Sequence, residues 1–127
     1  MTACPCDSGK ALAACCGKIH SGESMAETAE ALMRSRYSAF VVGNESYLLE
    51  SWHPDFRPAS VQLNPDQKWL GLKIKSTDAG GVDDTSGIVE FVARYKIASK
   101  GFRLHETSRF VREDGRWYYT DGDLHSS

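Results

Sequence analysis

Between Ser24 and Gly43 apolar residues recur at helical spacing: Ala29, Leu32, Met33, Tyr37, Phe40 and Val41. Ser24 followed three residues later by Glu27 has the form of a capping box, in which two side chains satisfy orphan backbone donors at a helix start. Gly43 stands where a C-terminal cap belongs, so the pattern predicts a helix over 25–42. Asn44 can cap a second, shorter helix carrying Tyr47, Leu48 and Trp52, ended by Pro54, whose ring removes a donor and crowds the preceding turn. Beyond Pro58 the period falls to two, predicting strands at 59–63, 68–77, 87–97, 102–112 and 116–121. Ser99-Lys100-Gly101 and Asp114-Gly115 are hairpin signals, and short turns force antiparallel neighbours, so the C-terminal half reads as a meander. One face of it collects Val89, Phe91, Ala93, Tyr95, Leu104, Phe110, Trp117 and Tyr119, while Asp78 to Gly87 reads as a mobile loop. Helices followed by an antiparallel sheet define an α+β domain with helices covering one sheet face.

The first 22 residues break this pattern. All four cysteines lie within the first sixteen positions, and Leu12 and Ile19 are the large apolar residues among many Gly and Cys. Such a segment buries too little surface to order itself. The division predicted is 1–22 as a metal-held knob and 23–127 as the α+β domain. With 127 residues, 41% hydrophobic and 25% charged, the chain is a globular domain large enough for its own core. A net charge of −2 argues against a nucleic-acid coat or a polybasic membrane surface, and no apolar run reaches the ~20 residues that span a bilayer. The N-terminus carries no charged region followed by an apolar stretch, so a cytoplasmic location is expected, where clustered cysteines more often bind metal than form disulfides.

Cys4-Pro5-Cys6, eight intervening residues and Cys15-Cys16-Gly17 supply four soft ligands for one structural zinc ion. Asp7-Ser8-Gly9 reverses the chain, and residues near 10–15 can form a helical turn that delivers the second pair. Disulfides, a redox thiol pair and a phosphate loop at Gly9-Lys10 fit less well: a redox pair is usually Cys-x-x-Cys, and no strand leads into the glycine. His20 is the alternative fourth ligand if Cys16 points outward. With all positions filled by protein, the site is closed, and structural in kind.

Cys-Pro-Cys-x-Ser-Gly-Lys with a following Cys-Cys-Gly resembles the SEC-C motif, the zinc-binding tail of the bacterial preprotein translocase SecA; the usual form has Gly where this chain has Asp7. The resemblance continues through Leu32-Met33-Arg34-Ser35-Arg36-Tyr37-Ser38-Ala39-Phe40, Trp52-His53-Pro54, Val89 to Tyr95, Leu104-His105-Glu106 with Ser108 and Phe110, and Trp117-Tyr118-Tyr119. This series is similar to the bacterial YchJ (UPF0225) family over nearly the full length. The resemblance implies a SEC-C motif joined to a cone-shaped, cystatin-like domain of the kind shared by ketosteroid isomerase and nuclear transport factor 2.

That cone fold commonly encloses a pocket between helix and sheet. Alternation along 102–112 puts Glu106 on the core face with Leu104, Ser108 and Phe110, and His105, Thr107 and Arg109 on the other. A carboxylate there needs a partner, for which Arg34, Arg36 and His53 are candidates. Two readings stand. In one, Glu106 and His53 form an acid–base pair in a pocket lined by Tyr37, Trp52, Tyr95 and Trp117. In the other, Glu106 and an arginine form a structural ion pair, and Trp52-His53-Pro54 only ends the second helix.

The favoured expectation is a non-enzymatic zinc-binding module acting through protein–protein contact, with Lys10, Lys18 and His20 around the thiolate site. Resemblance to the translocase tail makes export factors or ribosomal components candidate partners; nucleic acid ranks last. The alternative is a small-molecule binder or enzyme using the pocket around Glu106, His53, Arg36, Tyr37 and Trp52.

Overall fold

The computed structural model describes Cys4 and residues 15–61, 63 and 66–125. Three helices precede four strands: α1 (Cys16–His20), α2 (Ala29–Val42), α3 (Glu45–Glu50), β1 (Gln67–Ala79), β2 (Ser86–Ile97), β3 (Lys100–Glu113) and β4 (Arg116–Leu124). The strands form one antiparallel meander in the order β1-β2-β3-β4, with α2 laid across one face. This is the α+β fold expected from the sequence.

The long helix starts later than its pattern predicts. Thr28 is extended and its hydroxyl accepts from the Ala31 N–H at 3.0 Å, so it caps α2, while Ser24 and Glu27 lie outside the helix. Gly43 ends the helix at φ 78°, a left-handed conformation that glycine adopts without steric cost. Asn44 caps α3 by accepting from the Tyr47 N–H at 3.1 Å. Trp52 is not on α3, which stops at Glu50. Ser51 to His53 instead run along β4: His53 N–H donates to Tyr119 O (2.8 Å) and Tyr119 N–H donates to Ser51 O (2.9 Å). The Trp52-His53-Pro54 segment thus closes a sheet edge rather than merely ending a helix.

No strand forms among the described residues of 59–63. Asp78 and Ala79, expected in a mobile loop, belong to β1. Gly80 and Gly87 then cross so closely that a Cβ on Gly80 would lie 2.8 Å from the Ala29 Cβ, and Gly80 O accepts from the Ala29 N–H at 2.9 Å. The β1–β2 turn is therefore pinned under the N-terminus of α2. The β2–β3 turn is Ala98-Ser99, one residue earlier than predicted, whereas Asp114-Gly115 has positive φ at both positions, as the twist-matched hairpin turn requires.

Two register shifts decide which residues reach the core. In β1 the ladder slips between Trp69 and Gly71, leaving Leu70 exposed and turning both Trp69 and Leu72 inward. In β4 it slips between Phe110 and its neighbour Arg109, so Thr120 is the extra residue and its hydroxyl donates to Arg109 O at 3.1 Å. The core joins Leu32, Met33 and Tyr37 of α2 to Leu72, Val89, Phe91, Ala93, Phe110 and Trp117 of the sheet.

Candidate functional site

Cys4 and α1, the described parts of the cysteine segment, pack against α2. The Sγ atoms of Cys4, Cys15 and Cys16 lie within 4.8 Å of one another, and Cys4 and Cys16 are buried. Tetrahedral thiolates at about 2.3 Å from an ion sit about 3.8 Å apart, so the three sulfurs fit a metal site with little adjustment. Cys6 lies outside the described residues, as do residues 5–14, which include Lys10 and most of the predicted helical turn. The described helical turn, α1, begins at Cys16 with Cys15 at its N-cap.

What fastens this segment is a set of small polar residues on α2. Cys4 Sγ lies 3.5 Å from Ser38 Oγ, and His20 Nε2 donates to the Ser35 carbonyl at 2.8 Å while its ring packs on Tyr47 at 4.7 Å. His20 thus uses Nε2 on the helix backbone, and the metal-spaced cluster among the described residues does not include it. Cys16, whose outward orientation was the condition for His20 as fourth ligand, is buried with its Sγ in the cluster. Nor does His20 join Lys18 on an exposed face; of the two, Lys18 is the exposed one.

Beneath α2, on its sheet side, lies a cavity of about 290 Å³ with an almost wholly apolar lining. Met33, Tyr37 and Phe40 of α2, Trp69 of β1, Phe91 and Ala93 of β2 and Leu104 of β3 form its walls. Its polar groups are Arg36, Glu106, Ser108 and Tyr119, with Trp52 at the β4 side. Arg36, Tyr37, Trp52 and Glu106 were expected at this place. His53, Tyr95 and Trp117 do not line it: His53 Nε2 donates to Glu113 and its Nδ1 accepts from the Asp55 N–H at 3.1 Å. The structure therefore does not bring His53 and Glu106 together, and no acid–base pair of those two exists. Nothing in the local sequence marks Glu113, sixty residues away, as the partner of His53. Tyr119 and Trp69 were missed as lining residues, the first for want of a pocket argument and the second because the β1 bulge sets its direction.

Arg36 is 4% exposed. Its Nη1 donates to Leu48 O (2.8 Å) and Ser51 Oγ (2.6 Å), and its guanidinium stacks over Trp52 and Tyr119 at 5.1 and 4.5 Å from the ring centroids. Burial lowers its pKa to about 10, which the tyrosines and Glu106 partly oppose. Glu106 Oε2 accepts from Ser108 Oγ (2.5 Å) and from the Tyr119 hydroxyl (3.2 Å). Burial, and then the charge of Glu106, raise the Tyr119 pKa, so that the phenol stays a donor. Among the described residues neither Arg36 nor Glu106 has an ion-pair partner, so the predicted helix–sheet ion pair is absent. Gly122 pairs with Ser108 across the β3–β4 ladder, and a side chain there would collide with the Glu106 carboxylate.

A helical segment carrying a cysteine cluster, joined to a helix-covered antiparallel sheet with a cavity between helix and sheet, defines an α+β protein of the cystatin-like class. A family model described as "YchJ, middle NTF2-like domain" matches residues 28–122. The chain belongs to the YchJ (UPF0225) family. A UPF0225 protein of Chromobacterium violaceum is 56% identical over 124 residues, covering 94% of this chain and 91% of that one. The solution structure of a SEC-C motif containing protein from Rhodopseudomonas palustris is 31% identical, with a TM-score of 0.84 over 97% of this chain and 98% of that one. The crystal structure of another from Psychrobacter arcticus is 26% identical, with a TM-score of 0.75 over 98% of this chain and 83% of that one. Among the described residues no helix is long and apolar enough to cross a membrane.

Proposed function

We propose that this is a zinc-stabilised binding protein: the ion is structural, and the working surface is the cavity beneath α2, which takes a small, flat, largely apolar molecule with one polar end. Cys4, Cys6, Cys15 and Cys16 hold the zinc, whose role is to fold the N-terminal segment against Ser35 and Ser38. The observation that carries the reading is that Arg36 and Glu106 face one apolar cavity without an ion pair between them or to any other described residue. A ligand whose polar end accepts from the guanidinium and donates to the carboxylate would complete both, while its body packs on Tyr37, Phe40 and Trp69. His53, the imidazole expected beside Glu106, is engaged by Glu113 instead, so the observation that favours catalysis is missing and binding is the reading carried forward.

Two measurements test this. Native mass spectrometry on chelator-free protein is expected to show one zinc per chain, lost in Cys16→Ser and retained in His20→Ala; zinc-free protein with oxidised cysteines would refute the metal assignment. Benzoate, phenol and benzamide are then titrated while amide chemical shifts are followed. Perturbations confined to Arg36, Tyr37, Trp69 and Leu104, and abolished by the cavity-filling Leu104→Trp, support the ligand reading. No binder among such probes at millimolar concentration, with the fold intact, counts against it.

The second reading is a protein–protein module built on the knob, with export factors or ribosomal components as partners. The exposed Lys18, beside a thiolate–zinc centre of formal charge −2, and the exposed Val41 and Val42 at the end of α2 favour it. Complex formation between this chain and purified ribosomes or translocase, lost in Lys18→Glu, would support it, and its absence would leave the cavity as the working surface.

A further inference from the structure

The outer face of the sheet, turned away from both the cavity and the cysteine cluster, carries a second group of metal-ligating side chains. Glu90 of β2, His105 of β3 and His125, one residue past β4, present ligand atoms within 4.8 Å of one another. Three strands bring them together. His125 N–H donates to His105 O at 2.8 Å, which seats the two imidazoles opposite each other, and their rings stack with centroids 4.2 Å apart. Glu90 lies one pleat along on the neighbouring strand, where its Oε2 accepts from His105 Nε2 at 2.6 Å.

We propose that Glu90, His105 and His125 form a second, open site for a divalent transition-metal ion. Two imidazoles and one carboxylate suit zinc, nickel or copper and discriminate against magnesium and calcium, which prefer all-oxygen surroundings. Three protein ligands on a solvent-facing surface leave positions for water or an exogenous ligand, unlike the closed cysteine centre. Tetrahedral nitrogen and oxygen ligands at about 2.0–2.1 Å from an ion sit about 3.3 Å apart. The His105–Glu90 pair therefore opens slightly and the His125 ring turns inward, with the strand register unchanged.

The surroundings already orient the ligands. Ser76 Oγ donates to Glu90 Oε1 at 3.1 Å, leaving Oε2 for the ion, and Thr107 Oγ1 lies 2.6 Å from His125 Nε2 as an exchangeable partner. Such supporting bonds typically carry a ten- to hundred-fold share of affinity at metal sites. Arg109 on the same face is engaged by Asp121 and Asp123, which keeps its cation away from the incoming ion.

The test uses the untagged full-length chain carrying its first zinc. Zinc is titrated calorimetrically, and stoichiometry is read by native mass spectrometry. The expected result is a second ion per chain, with affinity lowered at least ten-fold in His105→Ala, His125→Ala and Glu90→Gln and unchanged in His20→Ala. Circular dichroism checks that each variant keeps the parent fold; His125 is exposed, so its removal leaves the core untouched. No second ion at hundred-micromolar zinc, or a second ion bound equally by parent, His125→Ala and Glu90→Gln, overturns the proposal. Loss of the first ion in Cys16→Ser with the second retained separates this site from the cysteine centre.

Discussion

Replacing Arg36 with methionine asks whether a buried charge that lacks an ion pair supports the fold or is held against it. Methionine keeps most of the aliphatic volume and removes the guanidinium. Lost are the two hydrogen bonds from Nη1 to Leu48 O and Ser51 Oγ, each worth about 1.5–3 kcal/mol when the donor is charged. The stacking on Trp52 and Tyr119 adds about 0.5–2 kcal/mol. Against this, a pKa lowered by burial to about 10 corresponds to a cost of about 3 kcal/mol, which methionine relieves. Because the folded pKa lies below the unfolded one, that cost is complete at every pH below about 10. The Leu48 carbonyl is not orphaned, since Ser51 Oγ donates to it at 3.2 Å. The balance predicts a net loss of about 2 kcal/mol. In urea at neutral pH this moves the unfolding midpoint down by about 1 M with an unchanged slope. A variant as stable as the parent, or more stable, would refute the reasoning: the hydrogen bonds would then fail to offset desolvation, and Arg36 would be retained for something other than folding.

Gly87→Ala would drive a Cβ into the backbone of Gly80, 2.9 Å from its nitrogen, with Ala29 closing the other side at 3.1 Å; a loss of about 3 kcal/mol is expected, seen as a Tm lower by about 10 °C. A Tm within 2 °C of the parent would show that the turn yields freely. Thr28→Ala removes the cap of α2 and should cost about 1 kcal/mol in chemical denaturation, whereas Ser24→Ala, outside the helix, should cost almost nothing. Arg109 donates to Asp121 at 2.7 and 3.0 Å and holds that carboxyl below its ordinary range. A depressed folded pKa adds stability that is complete above the unfolded value of about 3.9 and is lost as pH falls through the folded one. The Tm difference between the parent and Asp121→Asn should therefore be constant near neutrality and shrink below about pH 4; a difference unchanged down to pH 2 would contradict the assignment.

The meander was legible because β2 and β3 alternate cleanly, Val89-Phe91-Ala93 facing Leu104 to Phe110 across a register without slips. β1 was legible as a strand but not in its facing. Period two would place Trp69, Gly71 and Lys73 on one side; the bulge at Leu70 instead sends Trp69 and Leu72 inward, and no local signal announces an inserted residue. The cap of α2 was misplaced because Ser24-x-x-Glu27 and Thr28 both satisfy cap chemistry, and the choice is made by the Gly80 carbonyl receiving the Ala29 N–H, a contact fifty residues distant. The cavity was half legible. Glu106 followed from strand parity, but the partner of His53 depends on Ser51–His53 pairing with β4, which an expected helix end did not suggest.

The centre of α2 explains why its polar residues were the hardest to place. Ser35, Arg36, Tyr37, Ser38 and Ala39 are five consecutive buried residues, and five consecutive positions encircle a helix. An amphipathic stripe cannot produce that; cover from all sides can. The sheet covers Tyr37, α3 covers Arg36 and Ala39, and the cysteine segment covers Ser35 and Ser38. Small residues suit the last side because they let α1 and Cys4 approach closely: the Ser35 carbonyl accepts from the His20 ring, its hydroxyl turns to Leu32 O and the Tyr47 hydroxyl, and the Ser38 hydroxyl meets the Cys4 thiol. The serines that look like surface positions in an isolated helix are therefore the footprint of Cys4 and α1. The same helix that seats the cysteine cluster on one side supplies Met33, Arg36 and Tyr37 to the cavity on the other. In the proposed reading, an ion held by that cluster sits on the helix that roofs the cavity, and none of Cys4, Cys15 and Cys16 lines the cavity itself.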